Sequence, residues 1–256
     1  MAKVPSKKSA TAKVTTPSSK THAASLSFNE EIELLLQLAS AAPVLKFPER
    51  KSAAKLYELA VLAELLLEFQ ATGGTVALVQ PKKGKPCTFA GSPASANKDL
   101  YAWFDLRDPT GAPIAEAWVS VQFVGLSATL ARKHLPHAWV NEKASSHELD
   151  LSLLAPEAPG AAPRLYPNHL DLLAGVSVKH VSSLAKESIR EALGFRREMG
   201  LLSGPGMGSL SPWLQSDVPC DPPSPLFLAS SAEDFQGYDG HIDQLGIYAV
   251  FMKFPY

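Results

Sequence analysis

Between residues 147 and 154 the chain reads HELDLSLL, an alternation of polar and apolar side chains with the period of a β-strand. Such a strand points Leu149, Leu151 and Leu153 to one face and Glu148, Asp150 and Ser152 to the other. The next apolar segment, LLAGVSVK (172–179), sends Val176 and Val178 one way and Ser177 and Lys179 the opposite way. If the two strands are neighbours, a carboxylate and an ammonium meet on one surface. Residues 183–200 then predict a helix carrying Glu187 and Glu191, four apart and so on one helical face.

The rest of the pattern supplies the frame. KSAAKLYELAVLAELLLEF (51–69) predicts an amphipathic helix, with Leu56, Leu59, Ala60, Ala63 and Leu66 at helical spacing. DLYAWFDLRD and APIAEAWVSVQF predict two strands of a hairpin about a Pro-Thr-Gly turn. PLFLAS (225–230) reads as a strand, 232–246 as an interrupted helix and IYAVFMKF (247–254) as a closing strand. The order is helix, hairpin, two charged strands, helix, strand, helix, strand, which belongs to the α/β class.

Composition sets the outer bounds. A chain of 256 residues that is 46% hydrophobic and 19% charged can bury one substantial core. We expect a single domain over 26–256. Residues 1–25 contain Lys3, Lys7, Lys8, Lys13 and Lys20 and no acid, which predicts a disordered basic tail. It reads either as a phosphate-binding arm or as a solvated terminus; without an apolar h-region it does not read as a secretory signal, and an organellar presequence stays open. No apolar run is long enough to span a bilayer, and a cytoplasmic protein is expected. Cys87 and Cys220 stand alone and read as unpaired thiols. The net charge of −1 leaves nucleic acid open as a partner, because local charge governs DNA binding.

Asp150, then Ser177-Val178-Lys179, then a helix resembles the PD-(D/E)XK nuclease superfamily, the fold of many type II restriction endonucleases. In the commonest family motif an acid stands where Ser177 does. The chain is similar to a subgroup with Ser-x-Lys on this strand and the acid relocated to the following helix, where Glu191 is the matching residue. Superfamily members often add a glutamate from a preceding helix, and Glu58 occupies that place. The resemblance covers roughly residues 51–254 and implies a restriction-endonuclease-like core with a central mixed sheet flanked by helices. It implies an endonuclease that hydrolyses DNA phosphodiester bonds with Mg²⁺ or Mn²⁺. Asp150, Glu191 and Glu58 would hold the metal, and Lys179 would position the attacking water. It further implies a homodimer or a subunit of a multi-protein complex, in prokaryotic restriction or antiphage defence.

Other residues enter as secondary candidates. Glu148 and Glu116 are reserve metal ligands, and His180 reads as a core histidine. Arg132 with Lys133 and Arg196 with Arg197 are the local basic clusters, for phosphate contact or for solvation. Residues 127–146 and 202–225 read as long loops, the first suited to base or backbone contact and carrying His134, His137 and Trp139. Against the nuclease stands a second reading founded on Ser177, a catalytically inactive nuclease-fold protein that binds nucleic acid or scaffolds a defence complex.

Overall fold

The computed structural model describes residues 26–42, 45–47, 51–81, 86–91, 93–134, 145–202, 209–211, 214–215, 218–235 and 237–253. The expected tail 1–25, and His137 and Trp139 of the expected recognition loop, lie outside the described residues.

The chain begins with helices α1 (Phe28–Ser40) and α2 (Ala53–Ala71), then strands β1 (Thr75–Val79), β2 (Trp103–Arg107) and β3 (Pro113–Val124). Helix α3 (Leu126–His134) leads to β4 (Ser146–Leu154), β5 (Leu172–Lys179) and helix α4 (Lys186–Met199). Four short strands follow, β6 (Leu201–Leu202), β7 (Ser209–Ser211), β8 (Leu214–Gln215) and β9 (Cys220–Asp221), before β10 (Leu226–Ser230), α5 (Asp239–Asp243) and β11 (Ile247–Phe251). Seven strands form one mixed sheet in the order β1-β2-β3-β4-β5-β10-β11. From β1 to β5 each neighbour is antiparallel, and β10 and β11 then add in parallel. Parallel addition requires a crossover, and α4 and α5 lie in those two connections.

Helices cover both faces. On one, α1 and α2 bury Ile32, Leu36, Leu59, Leu62 and Leu66 against Val119, Leu151, Leu153, Val176 and Val178. On the other, Ile189, Ala192 and Met199 of α4 and Ile242 of α5 pack against Val121, Phe123, Leu149, Leu226 and Leu228. The expected amphipathic helix is α2, but it is buried almost all round: Tyr57, Val61, Leu62 and Phe69 are covered along with the predicted stripe. Its outer surface is closed by α1, which the reading of the sequence passed over. Its signals were present, a capping box from Ser27 to Glu30 and an apolar face at Ile32, Leu36 and Ala39.

Two further expectations need correction. The stretch 127–146 is not simply a loop, since Leu126–His134 is helical and places Arg132, Lys133 and His134 in its last turn. Within 202–225 short two-stranded ladders pair β6 with β9 and β7 with β8. The predicted hairpin is as read: Asp108 Oδ1 accepts from the amides of Thr110 and Ala112 at 2.8 and 2.9 Å, and Gly111 supplies the turn's left-handed residue at φ 87°.

Candidate active site

The site begins with an interruption of the sheet. In β3, Ser120 adopts φ 50°, a left-handed conformation that a non-glycine residue takes only where its surroundings hold it there. It reverses the alternation of the strand. Val119 packs against α1 and α2, whereas Val121 packs against α4. The facing strand breaks at the same level: Val119 pairs with Leu151 and Val121 with Leu149, with no pair between Ser120 and Asp150. Leu151 and Leu153 therefore join the first layer and Leu149 joins the second, which corrects the expectation that all three leucines share a face. A period-two reading assumes an unbroken pleat, and this pleat is broken at Asp150.

The ladder between β4 and β5 extends from Leu154 to Leu151, opposite Val176. One residue beyond it, Asp150 accepts the Val178 backbone N–H through its side chain, at 2.6 Å. That bond fixes the carboxylate between the strands. Burial nevertheless raises the Asp150 pKa; the Val178 amide and the ammoniums of Lys179 and Lys55 pull it down, and Glu191 adds to the rise.

On the α2 side stands Glu58. Burial pushes its pKa up to about 7, and the carboxylates of Asp150 and Glu148 push the same way against the pull of Lys55. Lys55, on the first turn of α2, is 8% exposed and donates to Glu58 Oε2 at 2.5 Å and to Ser120 Oγ at 2.6 Å. Glu148 also has a raised pKa, chiefly through burial, with Asp150 contributing and the Ser120 hydroxyl opposing. On the α4 side Lys179 Nζ pairs with Glu191 Oε2 at 2.7 Å. Ser177, fully buried, has a hydroxyl with no hydrogen-bond partner among the described residues.

Of the residues singled out from sequence, Lys179 and Glu191 form one ion pair, Glu58 is held in another by Lys55, and Asp150 is bonded to the Val178 amide, with Glu148 and Glu58 within electrostatic range of it. Glu187 stands apart: its side chain is 78% exposed and meets only Arg190, at 4.0 Å. Glu116 lies elsewhere, buried against Lys98 at 2.6 Å and Trp118 Nε1 at 3.2 Å. His180, expected in the core, is half-buried, with its ring 5.1 Å from that of Tyr57. Arg196, expected on a solvated or phosphate-binding face, is instead buried and donates to the Leu245 carbonyl at 3.0 Å. Lys55 and Ser120 were missed. A lysine within an apolar helical stripe was the available signal for the first; nothing local marks Ser120.

The donor chemistry suits a hard divalent ion, because carboxylates with raised pKa values are what a cation would relieve. The grouping is less complete: among the described residues no three acidic, histidine or cysteine side chains are gathered to hold a metal. Glu58 and Glu191 are each turned to a lysine. No protein-family model, curated protein or solved structure matches the chain. Among the described residues no helix is long and apolar enough to cross a membrane.

Proposed function

We propose that the protein is a metal-dependent endonuclease that hydrolyses DNA phosphodiester bonds, with its catalytic centre at Asp150, Lys179, Glu191 and Glu58. One observation carries the reading. On neighbouring strands, the Asp150 carboxylate is bonded to the Val178 amide at 2.6 Å and the next residue, Lys179, pairs with Glu191 of α4 at 2.7 Å. The order of elements around them supports it too: a helix, three antiparallel strands, a helix, then a strand parallel to the third. That is the arrangement the restriction-endonuclease-like core implies.

Asp150, Glu58 and Glu191, with Glu148 beside them, would hold Mg²⁺ or Mn²⁺, which when bound supplies charge stabilisation at the phosphoryl oxygens and a water of lowered pKa. The chain's own groups do the rest. The Val178 amide aims the Asp150 carboxylate. Lys179, on the neighbouring strand and held by Glu191, would orient the attacking water or neutralise phosphate charge. Glu191 supplies, from the helix, the acid that Ser177 lacks. A duplex cutter needs two such centres, so a homodimer or a place in a multi-protein defence complex belongs to the same proposal, as does a cytoplasmic prokaryotic setting.

A second reading, a catalytically inactive protein of this kind that binds nucleic acid or scaffolds a defence complex, is favoured by the Lys55–Glu58 pair and by Ser177, which stands where the family's acid would. Digestion of plasmid and oligonucleotide DNA with Mg²⁺ or Mn²⁺ separates the two. The nuclease predicts cutting abolished by EDTA, by Asp150→Ala and by Lys179→Ala. Cutting that persists in both variants would put the chemistry elsewhere, and DNA binding without cutting would favour the second reading.

A further inference from the structure

The layer made by α1 and α2 stops short of the last strand of the sheet. On that face β10 contributes Ala229 to the core, with Phe227 partly covered, and no residue of β11 is buried there. The opposite layer reaches further, since Ile242 of α5 and Ile247 of β11 belong to one core. The shortfall leaves a groove of about 370 Å³, bounded by Glu64, Leu65 and Glu68 of α2 and by Phe227, Val250 and Phe251 of β10 and β11. Val250 and Phe251 are 39% and 41% exposed, on a strand that ends the sheet. An apolar edge of this kind is a surface that another segment can cover.

Charge selects the segment. Glu64 and Glu68 stand one helical turn apart, both exposed, and among the described residues neither has an ion-pair partner. Like charges at this spacing repel, and a cation set between them relieves both. A fitting occupant therefore joins a small apolar side chain to a flexible cation. Residues 1–25, outside the described residues, carry Lys3, Lys7, Lys8, Lys13 and Lys20 with no acid, and twice read Ala-Lys-Val, at 2–4 and 12–14.

Reach agrees with charge. Residues 1–25 lead into α1, whose Asn29 accepts from the Lys51 amide at 3.3 Å, beside the start of α2. From Ser52 to Glu64 the helix advances about 18 Å, and an extended chain from Lys13 to Leu26 spans up to about 43 Å. The Ala12-Lys13-Val14 segment reaches the groove with slack.

We propose that the groove between α2 and β10–β11 is the docking site of the chain's own basic N-terminal segment, Val14 covering Val250 and Phe251 and Lys13 bridging Glu64 and Glu68. The contact is independent of the reading of Asp150 and Lys179. While it is made, the segment's positive charge is answered by the chain's own acids.

The test is the rate of trypsin cleavage after Lys13 in the full chain, divided by the rate in a free peptide of residues 1–25 under the same conditions. Docking should slow the intact chain roughly 3–10-fold at low salt, because cleavage follows the undocked population. About 0.5 M salt should return the ratio close to one. Glu64→Gln with Glu68→Gln should do so at low salt, and Val250→Asp should do so without touching the acids. The three altered positions are exposed, and the circular dichroism spectrum should be unchanged. A ratio near one in the unaltered chain, or slow cleavage that survives both variants, overturns the proposal. A dimer in sedimentation that Val250→Asp dissociates, with Lys13 unprotected throughout, overturns it in favour of a second copy as the occupant.

Discussion

Two polar clusters lie at different levels of β3, and their charges are settled in different ways. At the Asp150 level of β3 and β4, Glu58, Glu148 and Asp150 all have raised pKa values. Toward the Leu154 end of β4, Glu116 accepts from Lys98 at 2.6 Å, from Trp118 at 3.2 Å and from the Glu157 amide at 3.3 Å. Glu157 takes Lys98 at 2.9 Å and the Arg164 amide at 2.8 Å, and its pKa is lowered by those partners. Arg164 pairs with Asp171 at 3.0 Å, and Lys98 sits 4.6 Å above the Trp103 ring, itself stacked on Trp118. In the second cluster each of Glu116, Glu157 and Asp171 is tied to a lysine or arginine, whereas in the first burial outweighs the neighbouring ammoniums. Carboxylates with cationic partners in place hold the structure together, whereas buried carboxylates with raised pKa values are poised to take a cation or a proton. The difference separates Glu148 from Glu116, which the sequence ranked alike.

Substitutions in the two clusters should therefore fail differently. On the proposed nuclease reading the largest effect is on catalysis: Asp150→Ala or Lys179→Ala should lower Mg²⁺-dependent DNA cutting roughly 10²–10⁴-fold while leaving the circular dichroism spectrum intact. Glu116→Ala should do the reverse. It strands Lys98 and Trp118 and should cost about 2–3 kcal/mol in urea unfolding, with cutting per folded molecule retained. Loss of cutting on Glu116→Ala in folded protein would erase the contrast.

Glu58 sharpens it through pH. Its folded pKa of about 7 lies above the ordinary 4.5, so between those values the folded state holds a proton that the unfolded state has lost. The associated stability is full below about pH 4.5 and is lost as the pH rises through 7. Glu58→Gln, which cannot ionise, should gain roughly 1–3 kcal/mol relative to the unaltered protein between pH 5 and pH 8. A pH-independent difference in unfolding free energy would contradict the raised pKa. The smallest effect is expected at Gly175, where an added Cβ would come within 2.7 Å of Leu149 Cδ1 and 3.1 Å of Met199 Cε. Gly175→Ala should cost about 1 kcal/mol by overpacking. Because Leu149 precedes Asp150, the strain should reach cutting before it reaches the Glu116 network.

Much of this was legible along the chain. Local periodicity marked α2, the hairpin, β4, β5, α4, β10 and β11, because each buries a face whose spacing is set by its own geometry. The candidates Asp150, Lys179, Glu191 and Glu58 came from a motif resemblance; of the four, the structure joins Lys179 to Glu191 directly. Lys55 was passed over because a lysine in an apolar stripe reads as a snorkelling side chain until the element covering it is known. Here that cover comes from partners 65 residues away, as in the bond to Ser120. The loop reading of 127–146 erred at its start, where Leu126–His134 has few apolar residues to bury and so little periodicity to display.

The sequence by itself determined which segments are strands and helices and which acids and lysines were available, since propensity and spacing act over a few residues. Only the tertiary structure decided which of them meet. The left-handed Ser120, the broken pleat at Asp150 and the burial of Lys55 are set by strands and a helix pressing together across the core. Whether a carboxylate has a cationic partner in place or a raised pKa depends on those neighbours and on the water they exclude, and neither is encoded in its local sequence.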